Sequence, residues 1–295
     1  MHVTTKMRNA HDFIRKSRKY KVICVAGMIG GCILGSLWNL SLPVEEIELE
    51  EIECRPFSLD RKVLLDMRAS KMSPAEVEMK RYFHDLQLTR QVMTNDREGK
   101  HFFARNWEPS YSCSVQLRLG CPGDGGKWIC DPHIHLQTDE CVVYSFGSND
   151  EFSFETAIYE FNPACKVHTF DPTVPRPAHR PPFVHYHRWG LGTTDAHNKS
   201  MGIYFTLPDI MRRLGHDHVN VLKLDCEGCE LDFWTLDAPP GAVHQMQVEV
   251  HWDGRPQRLH DFFNFLTRKG LAIFQKEPNI QYWDGTAVEF ALVHL

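Results

Sequence analysis

The stretch VNVLKLDCEGCELDFW, residues 219 to 234, decides the fold. An apolar run typical of a buried strand leads directly into three carboxylates, those of Asp225, Glu227 and Glu230. Such a cluster is too polar for a protein core, and it follows the strand too closely for an ordinary linker. Because ligands of open α/β sheets bind at the carboxyl ends of the strands, the segment predicts the ligand-facing edge of such a sheet.

Around this segment, strand-like and helix-like runs alternate from residue 141 onwards. The strand-like runs are residues 141–146, 166–170, 183–187, 219–224, 244–250, 271–275 and 287–295. The helix-like runs are residues 151–161, 206–214, 230–236 and 256–268. This alternation predicts an α/β fold with a doubly wound, seven-stranded and largely parallel sheet. No helix separates the last two strands, so we expect them to form a C-terminal antiparallel hairpin.

Three predicted strand ends offer residues suited to a nucleotide-like ligand. Gly147 follows the first strand and lets the backbone approach a ligand closely. Asp171 ends the second strand, where a carboxylate can accept hydrogen bonds from ribose hydroxyls, and Trp189 after the third strand can stack on an adenine ring. An ordinary turn, a turn cap and a core-edge aromatic are the structural alternatives. The G-x-G-x-x-G pattern is absent, which disfavours hydride transfer.

The segments VYSFGSNDEFSFE, VHTFDP, HRWGLG and VLKLDCEGCE resemble those of class I S-adenosylmethionine-dependent methyltransferases. The D-x-E-G-x-E pattern is similar to that of the FkbM-related branch and of membrane-anchored methyltransferase-like proteins of animals. The resemblance covers about residues 110 to 295 and implies a Rossmann-like methyltransferase domain that binds S-adenosylmethionine. It places the methionine end of the cofactor at Phe146, Gly147, Ser148 and Asn149. It places the ribose at Asp171 and the adenine at Trp189 and Gly190.

The same resemblance places the methyl acceptor near Asp225. Transfer to a hydroxyl needs a group that removes or orients the proton, and the candidates are Asp225, Glu227, Glu249 and His251. A divalent metal held by Asp225, Glu249 and His251 is a second possibility, but no compact ligand motif requires it, so no metal is our primary expectation. Glu230 is expected in the first turn of the next helix, where its charge favours the helix dipole.

The predicted activity is therefore O-methyl transfer to a glycan or another hydroxylated small molecule. Ser145 stands where the family usually carries an acid, which leaves open a catalytically silent methyltransferase fold that serves as a binding or scaffolding module. Cys226 and Cys229 raise a third possibility, a thiol oxidoreductase or a zinc site. The flanking acids and the lack of a second ligand pair disfavour both.

The N-terminal part carries a membrane signal. Residues 1 to 21 hold seven Lys and Arg against one Asp, a net charge of +6, although the whole chain carries −5. Residues 22 to 42 are uncharged and long enough to cross a hydrocarbon core of about 30 Å. We expect a cytosolic basic tail, a transmembrane signal anchor, a stem with a lead-in helix over residues 43 to 109, and the methyltransferase-like domain over 110 to 295. A cleaved signal peptide is the rival interpretation.

Basic residues before the predicted anchor and acidic residues after it predict type II topology in the Golgi or another secretory-pathway membrane. The acidic body argues against nucleic acid as a partner, because phosphate binding needs clustered Lys and Arg. Glycine is common in membrane helices, but three glycines on one face also suit a homodimer: Gly27, Gly31 and Gly35.

Eight cysteines beyond the anchor suit disulfides in a secretory lumen, and those nearest a glycine-rich stretch are the first candidates: Cys113, Cys121 and Cys130. Asn198 begins a glycosylation sequon, which predicts a glycoprotein. Ser73 begins a capping box for a helix to about residue 93. We expect this helix to pack on the domain through its apolar residues, Val77, Tyr82, Phe83 and Leu86.

Overall fold

The computed structural model describes residues 72–91, 93–121, 125–192, 202–279 and 285–295. The predicted basic tail, the membrane anchor and residues 43–71 of the stem lie outside the described residues, as do Gly27, Gly31, Gly35 and the sequon at Asn198. Within the described ranges, no helix combines the length and the apolar character needed to cross a bilayer.

The described chain begins with helices and a hairpin that precede the α/β part. The capping box at Ser73 is present, because the Ser73 hydroxyl accepts from the Glu76 N–H and the Glu76 carboxylate accepts from the Ser73 N–H. The elements are α1 (Pro74–Arg90), α2 (Gly99–Arg105), β1 (Gln116–Leu119), β2 (Lys127–Cys130) and the one-turn helix α3 (Pro132–His135). Strands β1 and β2 pair antiparallel.

The α/β part follows in chain order. Its first half contains β3 (Val142–Phe146), α4 (Ser153–Phe161), β4 (Lys166–Phe170), β5 (His185–His187), β6 (Trp189–Leu191), β7 (Ile203–Phe205), α5 (Leu207–Leu214) and β8 (Val219–Leu224). Its second half contains two 3-10 helices (Cys229–Leu231 and Phe233–Leu236), β9 (Val243–His251), α6 (Pro256–Arg268), β10 (Leu271–Pro278) and β11 (Ala287–His294). The predicted helix at 230–236 is thus two 3-10 turns.

The central sheet has seven strands in the order β10, β11, β9, β8, β3, β4, β5. Strands β9, β8, β3, β4 and β5 are parallel, whereas β11 is antiparallel to both β9 and β10. The seven predicted strands and the C-terminal hairpin are confirmed. From β3 the chain adds β4 and then β5 on one side, and it returns to place β8 on the other side of β3. In open α/β sheets, ligands bind where the strand order reverses in this way, at the carboxyl ends of β3 and β8.

Apolar side chains cover both faces of this sheet. Helix α4 and the β1–β2 hairpin pack on one face, through residues that include Phe154, Ile158 and Ile129. Helices α2, α5 and α6 pack on the other face, with Phe102 and Phe262 among the buried residues. The sheet is therefore doubly wound as predicted, since each face buries the apolar side of at least one helix.

Helix α1 turns its apolar residues outward, contrary to our expectation. Tyr82 and Phe83 are 63% and 51% exposed, and Leu86 is also exposed. On the side of the helix that faces the domain, His84 is buried, and its Nδ1 lies 2.8 Å from the Ser110 hydroxyl. Of the four apolar residues expected at this contact, Val77 alone is partly buried.

Disulfides brace the described fold. Cys113 pairs with Cys130, and the bond ties β2 to the segment before β1; Cys121 is disulfide-bonded as well, so the prediction is confirmed for all three cysteines. Cys141 pairs with Cys165 across 24 residues. Cys226 pairs with Cys229, so neither offers a thiolate to zinc.

The disulfide Cys141–Cys165 closes a longer loop than Cys226–Cys229 and should therefore contribute more to the free energy of unfolding. Replacing Cys141 and Cys165 by Ser should lower the free energy of unfolding by about 2–5 kcal/mol, because the unfolded chain gains entropy. The matched control is the double Ser variant of Cys226 and Cys229, which closes a loop with a sequence separation of 3 instead of 24. Its loss should be smaller by about 2 kcal/mol. Urea unfolding of both variants measures the difference, and equal losses would contradict the expectation.

Candidate functional site

Gly147 turns the chain from β3 towards α4 at the carboxyl edge of the sheet. Its φ is +76°, and an added Cβ would lie 1.6 Å from the carbonyl oxygen of Asp225. The Gly147 N–H donates to the Phe170 carbonyl at 2.9 Å, and the Asp225 N–H donates to the Phe146 carbonyl at 3.1 Å. Only glycine fits this position, because both the backbone angle and the close approach of β8 exclude a side chain.

Asp171, after β4, holds the loop that follows Gly147. Its Oδ2 accepts from the Ser148 N–H at 3.2 Å and the Asn149 N–H at 2.9 Å. Its Oδ1 accepts from the Thr173 N–H at 2.9 Å and the Thr173 hydroxyl at 2.6 Å. Burial raises the pKa of Asp171, but these hydrogen bonds outweigh burial and lower it. The carboxylate thus organises the loop, and a ribose hydroxyl would have to share these bonds.

Ser148 provides an unsatisfied polar group in the same loop. It is buried, and its hydroxyl has no hydrogen-bond partner among the described residues. Asn149 and Asp150 have φ angles of 45° and 64°, which keep the loop tightly turned. A buried hydroxyl without a partner, beside a glycine that admits no side chain, fits a polar ligand over the end of β3.

Phe146, Gly190 and Trp189, the other residues predicted to hold the cofactor, differ in whether a side chain is accessible to a ligand. Phe146 is a core residue that stacks on Phe170 with 4.4 Å between ring centroids, so it can offer a ligand only its backbone. Gly190 is buried, and an added Cβ would lie 2.6 Å from the Tyr204 ring. Trp189 is partly exposed and packs on neighbouring aromatic rings. Of these three residues, Trp189 alone presents a side chain to a ligand.

Asp225, at the end of β8, lies between two lysines. Its Oδ2 is 3.2 Å from the Lys127 Nζ and 3.7 Å from the Lys223 Nζ. Lys223 also donates to the Gly147 carbonyl at 2.9 Å. Burial raises the pKa of Asp225, but the two ammonium groups together outweigh burial and lower it to about 2. Asp225 is therefore an ionised hydrogen-bond acceptor at neutral pH.

Lys127 comes from β2 and brings a buried ammonium into the site. It pairs with Glu289 of β11 as well as with Asp225. Burial lowers the pKa of Lys127, but Glu289 and Asp225 outweigh burial and raise it, so Lys127 is charged. Our sequence analysis missed both residues. Lys127 lies in a segment without a hydrophobic period, whereas Glu289 was detectable as the single acid in an otherwise apolar strand.

Asp225, Lys127 and Glu289 form a charged cluster, and Glu249 of β9 adds a further carboxyl group to it. It is 2% exposed, and the Asn279 side chain donates to its Oε1 at 2.6 Å. Burial and the neighbouring Asp225 carboxylate raise the pKa of Glu249 to about 8. Two adjacent carboxyl groups therefore differ in protonation at neutral pH, with Asp225 ionised and Glu249 largely protonated.

His251, two residues further along β9, is held by Glu230. The Glu230 Oε1 lies 3.0 Å from the His251 Nδ1, and Glu230 also accepts the Gly228 N–H at 2.9 Å. The His251 Nε2 lies 3.3 Å from Glu227 and 3.7 Å from Glu249. Burial lowers the pKa of His251, but Glu230 and the other acids outweigh burial and raise it to about 9. Glu230 lies in the first turn of the 3-10 helix Cys229–Leu231, as we expected, and it is in addition the buried partner of His251.

The structure brings together the four predicted catalytic side chains, but it arranges the possible metal ligands differently. In the part of the chain that the structure describes, carboxylate oxygens of Asp225, Glu249 and Glu289 lie within 4.8 Å of one another. Glu289 therefore takes the place predicted for His251. The Lys127 ammonium already contacts two of these carboxylates, so the protein itself supplies positive charge to this group.

The strand order, the glycine loop and the acidic end of β8 together define a Rossmann-like class I methyltransferase fold. A family model described as "Methyltransferase domain" matches residues 70–294. The chain belongs to this family. The match confirms the prediction of a methyltransferase and, with it, of S-adenosylmethionine as the cofactor.

Two curated relatives align with part of the chain. The probable methyltransferase-like protein 24 of Rattus norvegicus is 30% identical over 132 residues, which are 40% of this chain and 36% of the rat protein. The Homo sapiens protein of the same name is 30% identical over 132 residues, which are 40% of this chain and 35% of the human protein. The alignment thus spans about a third of the length of these relatives.

Two archaeal fibrillarins are similar among solved structures. The Methanococcus jannaschii pre-rRNA processing protein has 11% identity and a TM-score of 0.35, over 53% of this chain and 67% of that chain. The Aeropyrum pernix fibrillarin, solved with natively bound S-adenosyl-L-methionine, has 12% identity and a TM-score of 0.35, over 54% of this chain and 69% of that chain.

Gly147 should not tolerate even the smallest side chain. Gly147→Ala should lower the free energy of unfolding by about 1–3 kcal/mol or more and abolish cofactor binding, because its Cβ meets the backbone of Asp225. The matched control is Gly215→Ala, since Gly215 has a φ of +73° but no neighbouring atom within 4 Å of an added Cβ. Urea unfolding and calorimetry with S-adenosylmethionine measure both effects. Equal losses of stability and of cofactor affinity in the two variants would show that the close approach of the Asp225 backbone to Gly147 does not exclude a side chain.

Proposed function

We propose that this domain transfers the methyl group of S-adenosylmethionine to a hydroxyl oxygen of a glycan or another hydroxylated small molecule. The observation that carries the proposal is the pair of adjacent carboxyl groups, ionised Asp225 and largely protonated Glu249, at the carboxyl ends of β8 and β9. The D-x-E-G-x-E pattern around Asp225 supports a relation to the FkbM-related branch and to membrane-anchored animal proteins.

The glycine loop supplies the groups that would hold the cofactor. Gly147 lets the backbone approach it, the unpartnered Ser148 hydroxyl is available for its polar end, and Trp189 offers a partly exposed ring for its adenine. Asp171 keeps the loop in shape through its four hydrogen bonds to Ser148, Asn149 and Thr173. When bound, the cofactor supplies an electrophilic methyl group to the acceptor oxygen.

Glu249 is the best general base among the four predicted residues. Its pKa of about 8 lies near the working pH, where a base combines an available ionised form with a strong affinity for the proton. Asp225, with a pKa of about 2, is a weak base and orients the acceptor by accepting a hydrogen bond from a second, neighbouring hydroxyl. His251 is protonated at neutral pH, and its positive charge stabilises ionised Glu249.

In this mechanism, the acceptor oxygen loses its proton to Glu249 and gains the methyl group. Ionised Glu249 accepts the proton of the acceptor hydroxyl as the oxygen forms its bond to the methyl carbon. The bound cofactor would supply this methyl group and would retain the electron pair of its carbon–sulfur bond. Lys127 remains paired with Asp225 and Glu289 throughout.

We further propose that the domain lies in the lumen of the Golgi or another secretory compartment. The uncharged segment 22–42 and the charge difference across it support a type II anchor. The disulfides Cys113–Cys130 and Cys141–Cys165 suit an oxidising compartment. A lumenal domain needs a transporter for its cofactor, which is made in the cytosol. The glycines of the predicted anchor, Gly27, Gly31 and Gly35, support a homodimer.

Calorimetry of the full-length protein in detergent with S-adenosylmethionine tests whether the protein binds the cofactor, which the proposed reaction requires. We expect saturable binding of one cofactor per chain. Circular dichroism of the same sample provides the control for folding. A folded protein that binds no cofactor would instead favour the catalytically silent fold that serves as a binding or scaffolding module.

Glu249→Gln should lower kcat by about 10²-fold or more while it leaves the cofactor affinity unchanged, because Gln cannot take up a proton. The wild-type rate should rise with pH and reach half of its plateau near pH 8, since Glu249 must lose its own proton before it accepts another. The control is Glu227→Gln, whose side chain is 70% exposed, and its kcat should stay within about twofold of the wild type. Methyl transfer from labelled cofactor to a panel of free glycans measures both variants. A full rate in Glu249→Gln would eliminate Glu249 as the base.

A further inference from the structure

The disulfide Cys226–Cys229 closes a tight turn within the candidate site, residues 226–229, which we call the disulfide turn. Asp225 precedes this turn and Glu230 follows it, so the bond lies between two carboxylates with different partners. Asp225 pairs with lysines at the end of β8, whereas Glu230 holds His251 of β9. The conformation of the turn therefore sets the position of Glu230 relative to Asp225.

The backbone of the disulfide turn adopts a conformation that one of its residues disfavours. Glu227 has a φ of +56° and Gly228 a φ of +108°. Glycine adopts such angles freely, but a glutamate in the left-handed region is strained unless its surroundings enforce it. The Glu227 side chain is 70% exposed, and an added Cβ at Gly228 would meet no atom within 4 Å. Because packing around the turn is sparse, the disulfide is the main constraint on its shape.

Glu230 transmits the shape of the disulfide turn to β9. The residue is fully buried, and its Oε2 accepts from the Gly228 N–H at 2.9 Å. Its Oε1 accepts from the His251 N–H at 3.1 Å and lies 3.0 Å from the His251 Nδ1. One carboxylate thus joins the turn to the histidine whose charge favours ionised Glu249 in the proposed mechanism. When the turn opens, Glu230 loses Gly228 as a partner and holds His251 less firmly.

The disulfide Cys226–Cys229 is more accessible than the disulfide Cys141–Cys165. Both residues of the first pair are partly exposed, whereas those of the second pair are 0% and 6% exposed. A thiolate must reach a sulfur atom before it exchanges with a disulfide, so a buried bond reacts only after local unfolding. With a sequence separation of 3, the reduced thiols of the turn stay close together and can reform their bond. The turn is therefore suited to reversible exchange.

We propose that Cys226–Cys229 is a thiol–disulfide exchange site whose redox state controls the acceptor edge of the domain. A dithiol attacks one sulfur and forms a mixed disulfide, and its second thiol then displaces the remaining cysteine. The dithiol is oxidised to its own disulfide, and its two electrons and two protons leave Cys226 and Cys229 as free thiols. The reduced turn relaxes at Glu227 and releases Glu230. The effect on methyl transfer rests on the proposed function, whereas the exchange itself does not.

Differential alkylation and mass spectrometry of the full-length protein in detergent test the exchange, with dithiothreitol as the dithiol. Cys226–Cys229 should be reduced at least about tenfold faster than Cys141–Cys165 and should reform when dithiothreitol is removed. Amide hydrogen exchange should then rise about tenfold in the peptides that contain Gly228 and His251, whose N–H groups bond to Glu230, and stay unchanged in β3. Equal reduction rates, or unchanged hydrogen exchange in both peptides, would overturn the inference.

The double variant Cys226→Ser and Cys229→Ser is the matched control, because it removes this bond and keeps the other disulfides. Without dithiothreitol, its hydrogen exchange at Gly228 and His251 should equal that of the reduced wild type, and dithiothreitol should not change it. Adding Glu227→Gly should restore part of the lost protection, because glycine adopts the left-handed angle without strain. Wild-type protection in the double variant would show that the disulfide does not hold the turn.

Methyl transfer and cofactor binding separate this inference from the proposed function. Reduction should lower kcat about tenfold, because His251 is held less firmly beside Glu249. Calorimetry should give the same affinity for S-adenosylmethionine in both redox states, since the glycine loop lies outside the turn. An unchanged kcat after complete reduction would contradict control of the acceptor edge. A protein that binds no S-adenosylmethionine in either state would count against the proposed function, while the order of reduction and the hydrogen exchange still decide the role of the disulfide.

Discussion

The pairing of Asp225 with Lys127 and Lys223 is the interaction on which the rest of the site depends. A carboxylate at the end of a buried strand is costly to desolvate, and removing one partner of such a pair leaves an uncompensated charge. Lys223 also donates to the Gly147 carbonyl, so the same ammonium reaches the loop that we propose for the cofactor. The proposed cofactor loop and the proposed acceptor edge are therefore parts of one electrostatic unit.

The β1–β2 hairpin completes this unit from outside the α/β part. Gln245 and the disulfide of Cys113 with Cys130 hold the hairpin on the sheet. The hairpin in turn carries Lys127 to the carboxyl ends of β8 and β9. An element that contributes no strand to the central sheet thus supplies a charge to the proposed acceptor site.

The neighbouring charges separate the roles of Asp225 and Glu249. Asp225 faces two ammonium groups and stays ionised, whereas burial and the Asp225 carboxylate outweigh the Asn279 hydrogen bond, so that Glu249 retains its proton at neutral pH. Pairs of titratable groups with pKa values pushed apart by their surroundings are a recurrent way to assign acid and base. In the proposed mechanism, the charge on His251 favours the ionised form of Glu249 when the acceptor hydroxyl gives up its proton.

The sequence by itself determined the seven strands, the C-terminal hairpin and the edge at which Asp225 meets the other strand ends. Apolar runs and turn residues are local patterns, and the geometry of a parallel sheet brings the carboxyl ends of its strands together. Only the tertiary structure decided that Lys127 and Glu289 join this edge, that Glu230 holds His251, and that α1 exposes its aromatic residues. Lys127 lies 98 residues from Asp225 and 162 from Glu289 along the chain, so no local pattern records these contacts. Their energies depend on desolvation and on distances that arise only when the hairpin closes over the sheet.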